Sequence, residues 1–506
     1  MMLASTPLDP KAVGVISVYI LSMLLIGWWG YRARRENTLR DFYLAGKGFG
    51  FFVLVFTLFA TQYSGNTMIG FTGKTYRIGY AWIMCLHFMT AIIVFYLLFA
   101  PRLHCLAKKE KFITPVDFLQ HRFGSTALNL VASTVMIVAL GNYLLGQLMA
   151  IGRALEGLAT DNPKQAYLYG VVILAIIMVI YESLGGLRAV AWTDVIQGTI
   201  MTIGFVFLVV LIFQKFGGLG TALEKIMAEN RTDTLKVMPP PASRCREWFS
   251  YIFLVGMGGA LYPQAIQRIY AAGSLNSLRR SLGVMAFLPL LMTLLAVTVG
   301  IITLANFPGL STIESDRALM VISREIQSAS QLGYWVVVFL FAALLAAIMS
   351  TADSALLSIS SMITKDIYAG IINKTVSEQQ LTRMGKGISW IVVAIIVILA
   401  IALREKATIV SLLDRKFDLL VQLVPAFFLG IRWQRLQTRP TLYGLLIGLT
   451  IAITLAAAGH GKLLNIHAGL WALTANAAIA IVGSLLCNQN NVNASNRNNA
   501  EQHKKT

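Results

Sequence analysis

Residues 330–368, SQLGYWVVVFLFAALLAAIMSTADSALLSISSMITKDIY, hold the groups in this chain best suited to gripping a small ion. The stretch is long and apolar enough to cross a bilayer, yet hydroxyls and one acid interrupt its middle. Ala347, Ser350, Thr351 and Ser354 fall at i, i+3, i+4 and i+7 and so share one helix face, with Asp353 beside it. At mid-membrane an aspartate costs about 2.5–3.5 kcal/mol on insertion scales, so it needs a partner or an aqueous cavity. A row of small oxygen donors beside an acid suits a hard cation such as sodium. The same row suits helix packing, because Ser, Thr and Ala let membrane helices approach closely. Taken alone, the stretch leaves both readings standing.

Two other stretches are unusual for membrane spans. GFFVLVFTLFATQYSGNTMIGFTG (50–73) turns polar at its centre, around Gly65, where a membrane helix is normally most apolar. WFSYIFLVGMGGALYPQAIQRI (248–269) carries Gly256, Gly258 and Gly259 followed by Pro263. Such residues at mid-depth predict unwound backbone, tolerated only where protein or water satisfies the freed groups. Two broken segments five spans apart form the pattern of a transporter built from inverted five-helix repeats.

The elements that must position these groups follow from composition. The chain has 506 residues, 57% hydrophobic and only 13% charged, well below the roughly 25% charged of a soluble domain. It therefore reads as an all-α polytopic membrane protein. Thirteen candidate spans lie near 13–31, 50–72, 78–100, 127–158, 166–185, 189–214, 248–270, 280–305, 330–364, 383–403, 407–432, 441–459 and 467–487. We read 1–487 as a single transmembrane domain with repeats at about 50–214 and 248–432, and 488–506 as a disordered cytoplasmic tail.

The net charge of +19 comes from Lys and Arg in short loops, as the positive-inside rule expects, so it does not indicate nucleic acid. Arg32, Arg34, Arg35 and Arg40 place the N-terminus outside; Arg268, Arg279 and Arg280 are counted among the cytoplasmic charges. The first apolar run lacks the basic flank of a signal peptide and reads as a retained span. Four cysteines show neither CxxC pairing nor zinc spacing. No phosphate-binding loop, metalloprotease motif or catalytic triad is present, so an enzyme is not expected.

The strings DFYLAGKGFG (41–50), GGLRAVAWTDVIQG (185–198) and AAIMSTADSALLSISSMITKDIY (346–368) resemble the sodium:solute symporter family over essentially residues 13–485. The resemblance implies a LeuT-type fold of 5+5 inverted repeats with about 13 helices, placed in a bacterial-type inner membrane. It implies sodium as coupling ion, a small organic solute, no other cofactor and no obligatory protein partner. The main sodium site would use the carbonyls of Ala60, Tyr63 and Ala347 with the side chains of Ser350 and Thr351. Asp194, Asp353 and Ser354 match a second cation or proton site found in some members.

Solute contacts implied by the resemblance come from Gln62, Ser64, Gly65 and Asn66 on the first broken helix and Gly259, Tyr262 and Gln264 on the second. His87 and Gln147 are further candidates from neighbouring spans. Proline-type members often carry an acid where Gln62 stands, which argues against proline. The charges Asp414, Arg415, Lys416 and Asp418 depart from the family pattern. They either shift that helix start to about 417 or pair with one another at an outer gate. Proton coupling through Asp194 and Asp353, and a transporter-like solute sensor, are the rival functions.

Overall fold

The computed structural model describes residues 10–32, 38–46, 48–158, 162–229 and 233–503, almost all of them helical. Helix α1 (Pro10–Arg32) turns Val18, Leu21, Leu25, Trp28 and Trp29 outward, an apolar face suited to lipid. The short α2 (Leu39–Leu44) starts at Thr38, whose hydroxyl accepts the Asp41 N–H. The first interrupted span is α3 (Phe51–Gln62), a break at Tyr63–Gly65, a π-helical turn (Asn66–Gly70) and α4 (Phe71–Ile78). Then come α5 (Met84–Glu110), α6 (Asp117–Phe123), α7 (Thr126–Leu158) and α8 (Pro163–Phe216).

Helix α8 holds two expected spans joined at Gly186, which takes φ +60° and ψ −161°. Only glycine adopts that backbone without strain. A Cβ there would also lie 2.6 Å from the Phe42 carbonyl oxygen.

The long loop carries two short helices, α9 (Leu219–Ala228) and α10 (Thr234–Val237). The second interrupted span follows as α11 (Ala242–Ala260) and α12 (Pro263–Ala271), bent by 50°. Pro263 opens α12, where its missing N–H would have no intrahelical acceptor. Next are α13 (Leu275–Met285), α14 (Leu288–Asn306), α15 (Ala318–Ala329), α16 (Gln331–Ser361), α17 (Glu378–Ala402) and α18 (Ile409–Leu420). The chain closes with α19 (Thr438–Ala457), a hairpin of β1 (Lys462–Leu463) and β2 (Ile466–His467), and α20 (Ala468–His503), which packs on α19.

Every residue of α16 from Leu340 to Ser361 is buried, so the hydroxyl-bearing helix is the bundle's axis and not a lipid-facing span. It packs against α3, α7, α8, α12 and α17.

Among the described residues nine helices are long and apolar enough to cross a membrane, ten if the α11–α12 pair counts as one span. The expected thirteen is therefore not reached by that measure. The differences fall at the breaks: α3 and the apolar part of α1 (Gly14–Gly30) are short, and Thr67–Glu110 runs on as one apolar helical stretch. Helix α18 gives way to 3-10 and π-helical turns before it reaches bilayer length. The membrane-length part of α20 is Ala468–Cys487, and the described backbone continues helical to His503 through most of the expected tail. Side chains of 488–503 lie outside what the structure describes, as does 504–506.

Candidate functional site

The break in the first interrupted helix exposes carbonyls that the α16 hydroxyls reach. Thr351 Oγ1 lies 3.0 Å from the Ala60 carbonyl oxygen and 3.0 Å from that of Ala347. Tyr63 leaves the helical region (φ −101°, ψ 118°), which ends α3 and turns the chain away from its own ladder. Thr61 O, also at this end, accepts the Tyr143 hydroxyl at 3.2 Å. Ala60, Ala347 and Thr351 thus meet at one point, and Tyr63 borders it in sequence. Ser350 points one helical step away and donates to Asp194 Oδ1.

Asp194 is fully buried on α8 and belongs to a second cluster. Thr57 donates to its Oδ2, and Arg268 Nη2 approaches the same oxygen at 3.1 Å with both side chains wholly buried. The guanidinium also donates from Nε to Thr57 Oγ1 (2.7 Å), from Nη1 to Gln264 O (3.1 Å) and from Nη2 to Ser354 Oγ (2.5 Å). Asp194 and Ser354 are therefore together as expected, but the cation between them is an arginine of the chain. The reading of Arg268 as a cytoplasmic loop charge is corrected: it projects from α12 into the core. Its position inside the expected span 248–270 was the signal, since an intramembrane arginine needs a partner.

Asp353 is fully buried one residue before Ser354 but takes no hydrogen bond from Arg268. Successive helical residues diverge by about 100°, and Asp353 lies within electrostatic range of Tyr19 on α1. The expected trio of Asp194, Asp353 and Ser354 is divided.

The solute candidates separate in the same way. Gln62, Ser64 and Tyr262 line a small cavity between the two broken helices, together with Tyr143, Lys416 and Phe417. Its free volume of about 20 Å³ is room for about one water molecule. Gln62 Nε2 donates to Tyr96 Oη (3.0 Å), which donates to Gly259 O (3.1 Å), so one tyrosine of α5 ties both breaks together. Gly65 lies behind the wall: its N–H meets Gln147 Oε1 at 3.0 Å, and a Cβ would stand 2.6 Å from that of Ala150. Gln264 is fully buried with neither amide atom hydrogen-bonded among the described residues, but it is not part of this cavity wall. The side chain of Asn66 lies outside what the structure describes.

His87 is a correction. Its side chain is exposed and its ring rests 4.8 Å from that of Trp248, away from the cavity. The inner face of α5 is carried by Phe88, Met89 and Ile92, and the residue before them points outward.

Both expectations for the α18 charges also fail. The helix begins at Ile409, and among the described residues none of the four charges pairs with another within 4 Å. Asp414 accepts Tyr251 Oη at 2.9 Å, Asp418 accepts the Gly469 N–H at 2.9 Å, and Arg415 is exposed. Lys416 enters the cavity.

Comparison with known proteins follows the same lines. The model of the sodium:solute symporter family matches residues 42–448. The chain is 26% identical over 462 residues to the osmoregulated proline transporter OpuE of Bacillus subtilis (strain 168), covering 89% of this chain and 90% of that one. It is 27% identical over 451 residues to the sodium/proline symporter of Escherichia coli (strain K12), covering 86% of each. It superposes on a Na+-coupled sialic acid symporter, solved substrate-bound and outward-open, with a TM-score of 0.75 at 20% identity over 94% of this chain and 97% of that one. A nucleobase-cation-symport-1 family transporter gives a TM-score of 0.53 at 12% identity over 87% and 93%. These structural likenesses are of fold, and the fold is the LeuT-type 5+5 arrangement with two broken helices.

Proposed function

The chain belongs to the sodium:solute symporter family, and from that membership we propose that one sodium ion is held between α3 and α16 and drives solute entry by alternating access. The protein is a multi-pass membrane symporter that couples sodium to a small organic solute, not an enzyme. The proposed ligands are the carbonyls of Ala60, Tyr63 and Ala347 and the hydroxyls of Ser350 and Thr351. The observation that carries the site is Thr351 Oγ1 at 3.0 Å from two carbonyls on two different helices. A hard cation there would replace two hydrogen bonds with five or six oxygen contacts and hold α16 against the broken helix. Ion binding would thereby favour the solute-competent arrangement, a coupling between two sites.

Arg268 supports a single coupling ion. Its guanidinium already neutralises Asp194, so a further cation on Asp194 and Ser354 would have to displace it or meet its charge. We read 1–487 as one transport unit with repeats at about 50–214 and 248–432. We place the N-terminus outside and the end of the chain in the cytoplasm of a bacterial-type inner membrane, with no obligatory protein partner.

Proteoliposomes test the assignment. Inward sodium gradients should drive solute accumulation by the wild type, and Ser350→Ala combined with Thr351→Ala should abolish the sodium stimulation. Unchanged sodium dependence in that double variant would remove the site.

A further inference from the structure

The cavity holds a charge that sodium coupling leaves without a task. Lys416, from the middle of α18, is 1% exposed, and its Nζ has no hydrogen-bond partner among the described residues. The ammonium sits 3.3 Å from the ring centroid of Tyr143 and 5.1 Å from that of Tyr262. These two rings are themselves stacked, 5.2 Å apart and inclined by 8°. Aromatic faces replace part of a lost hydration shell, but they offer no lone pair to any of the three N–H donors. Asp414 lies within electrostatic range of the ammonium, but among the described residues no carboxylate comes within 4 Å of Lys416; Asp414 accepts the Tyr251 hydroxyl and Asp418 the Gly469 N–H.

Of the described residues lining the cavity, Lys416 alone is charged. Gln62 and Ser64 supply polar groups; Phe71, Ile92 and Phe417 are among the apolar remainder. A buried ammonium of this kind is matched by an anion, and a neutral solute would leave it unpaired in a cavity of low polarity. One point charge suits a monoanion; phosphate recognition usually recruits guanidinium forks or several cationic donors.

We propose that Lys416 anchors a carboxylate of the transported solute, so that the substrate is a small organic carboxylate with an apolar body. This rests on the symport reading above and names the chemical class of its solute. The aromatic cradle holds the ammonium in place, and the apolar wall accepts the carbon skeleton.

The test uses the full purified chain, with thermal unfolding and proteoliposome uptake measured at saturating sodium. Probes are propionate and benzoate, each against its uncharged amide, and L-proline against L-prolinamide, which keeps the ammonium and lacks the carboxylate. At least one carboxylate should stabilise and enter the wild type, with its amide at least tenfold weaker. Lys416→Met should lose that carboxylate response at least tenfold while keeping the stabilisation given by sodium alone. Lys416→Arg should retain more of the response than Lys416→Met.

If amides match their carboxylates, if no carboxylate acts, or if Lys416→Met keeps its carboxylate affinity within twofold, the anchor is overturned. Those outcomes leave sodium coupling intact when sodium still stabilises the protein. Loss of every sodium effect in the wild type would instead overturn the symport site. Where Lys416→Met fails to fold with propionate or sodium present, Lys416→Arg is read instead: a retained carboxylate response supports the cationic anchor, and loss of that response in the folded Lys416→Arg protein counts against it.

Discussion

Arg268 Nη2 lies 3.1 Å from Asp194 Oδ2 with both side chains fully buried, and the two come from the second broken span and the sixth expected span. Thr57 and Ser354 bind the same guanidinium, so α3, α8, α12 and α16 meet on one cation. Removing one partner of a buried pair typically costs about 3–5 kcal/mol, because the other charge is stranded. Arg268→Met should therefore lower the unfolding temperature strongly. Adding Asp194→Asn should recover much of that loss, since it removes the stranded charge. An Arg268→Met protein as stable as wild type in a detergent melting assay would refute this account.

The two proposed sodium hydroxyls should not be equivalent. Thr351 Oγ1 faces two carbonyls, whereas Ser350 Oγ is directed to Asp194. Thr351→Ala should raise the sodium concentration for half-maximal uptake at least tenfold, or about 1.4 kcal/mol. Thr351→Ser should retain most of the wild-type sodium affinity. Ser350→Ala should shift it less than Thr351→Ala. Titration of uptake against sodium reads all three, and equal shifts for the two alanine variants would contradict the asymmetry.

Much of this arrangement was legible in the sequence because its signals are local. Spacing put Ser350, Thr351 and Ser354 on one helix face, and Gly65 and Pro263 marked the two breaks. What spacing cannot supply is which way each side chain turns once helices pack around it. Asp353 and Ser354 are neighbours in sequence yet belong to different surroundings. His87 was polar in an apolar run, but α5 presents it outward. Lys416 and Arg268 stood out as charges; only tertiary structure gives one to the cavity and the other to Asp194.

Gly65 is set by close approach. A Cβ would meet that of Ala150 at 2.6 Å and Ile348 Cγ1 at 3.0 Å. Backbone at the break, beside the proposed ligands Ala60 and Tyr63, must then shift away from α7 and from α16, which carries Ala347, Ser350 and Thr351. Gly65→Ala should reduce sodium-driven uptake at least tenfold, and Ala150→Gly in the same chain should restore part of it. Gln147→Leu tests the other side of the contact. It leaves the buried Gly65 N–H without its acceptor, a cost of about 1–3 kcal/mol that melting temperatures would register.

The hairpin before α20 should give stability a pH dependence. His467 is 1% exposed, and Ser250 Oγ lies 2.6 Å from its Nδ1 and accepts its backbone N–H at 2.8 Å. Burial pushes its pKa down from 6.5 to about 4, with Lys462 and Lys74 opposing the proton and Asp414 and Glu247 favouring it. The unfolded chain therefore binds this proton more readily than the folded one. The contribution is fully present above about pH 6.5 and is lost as pH falls toward 4, by roughly 3 kcal/mol across the window. His467→Gln removes the titrating group. Its melting temperature should fall less steeply than wild type's between pH 6.5 and 4.5, whatever other acids contribute in both proteins. Parallel curves for the two would show that protonation of His467 does not oppose folding.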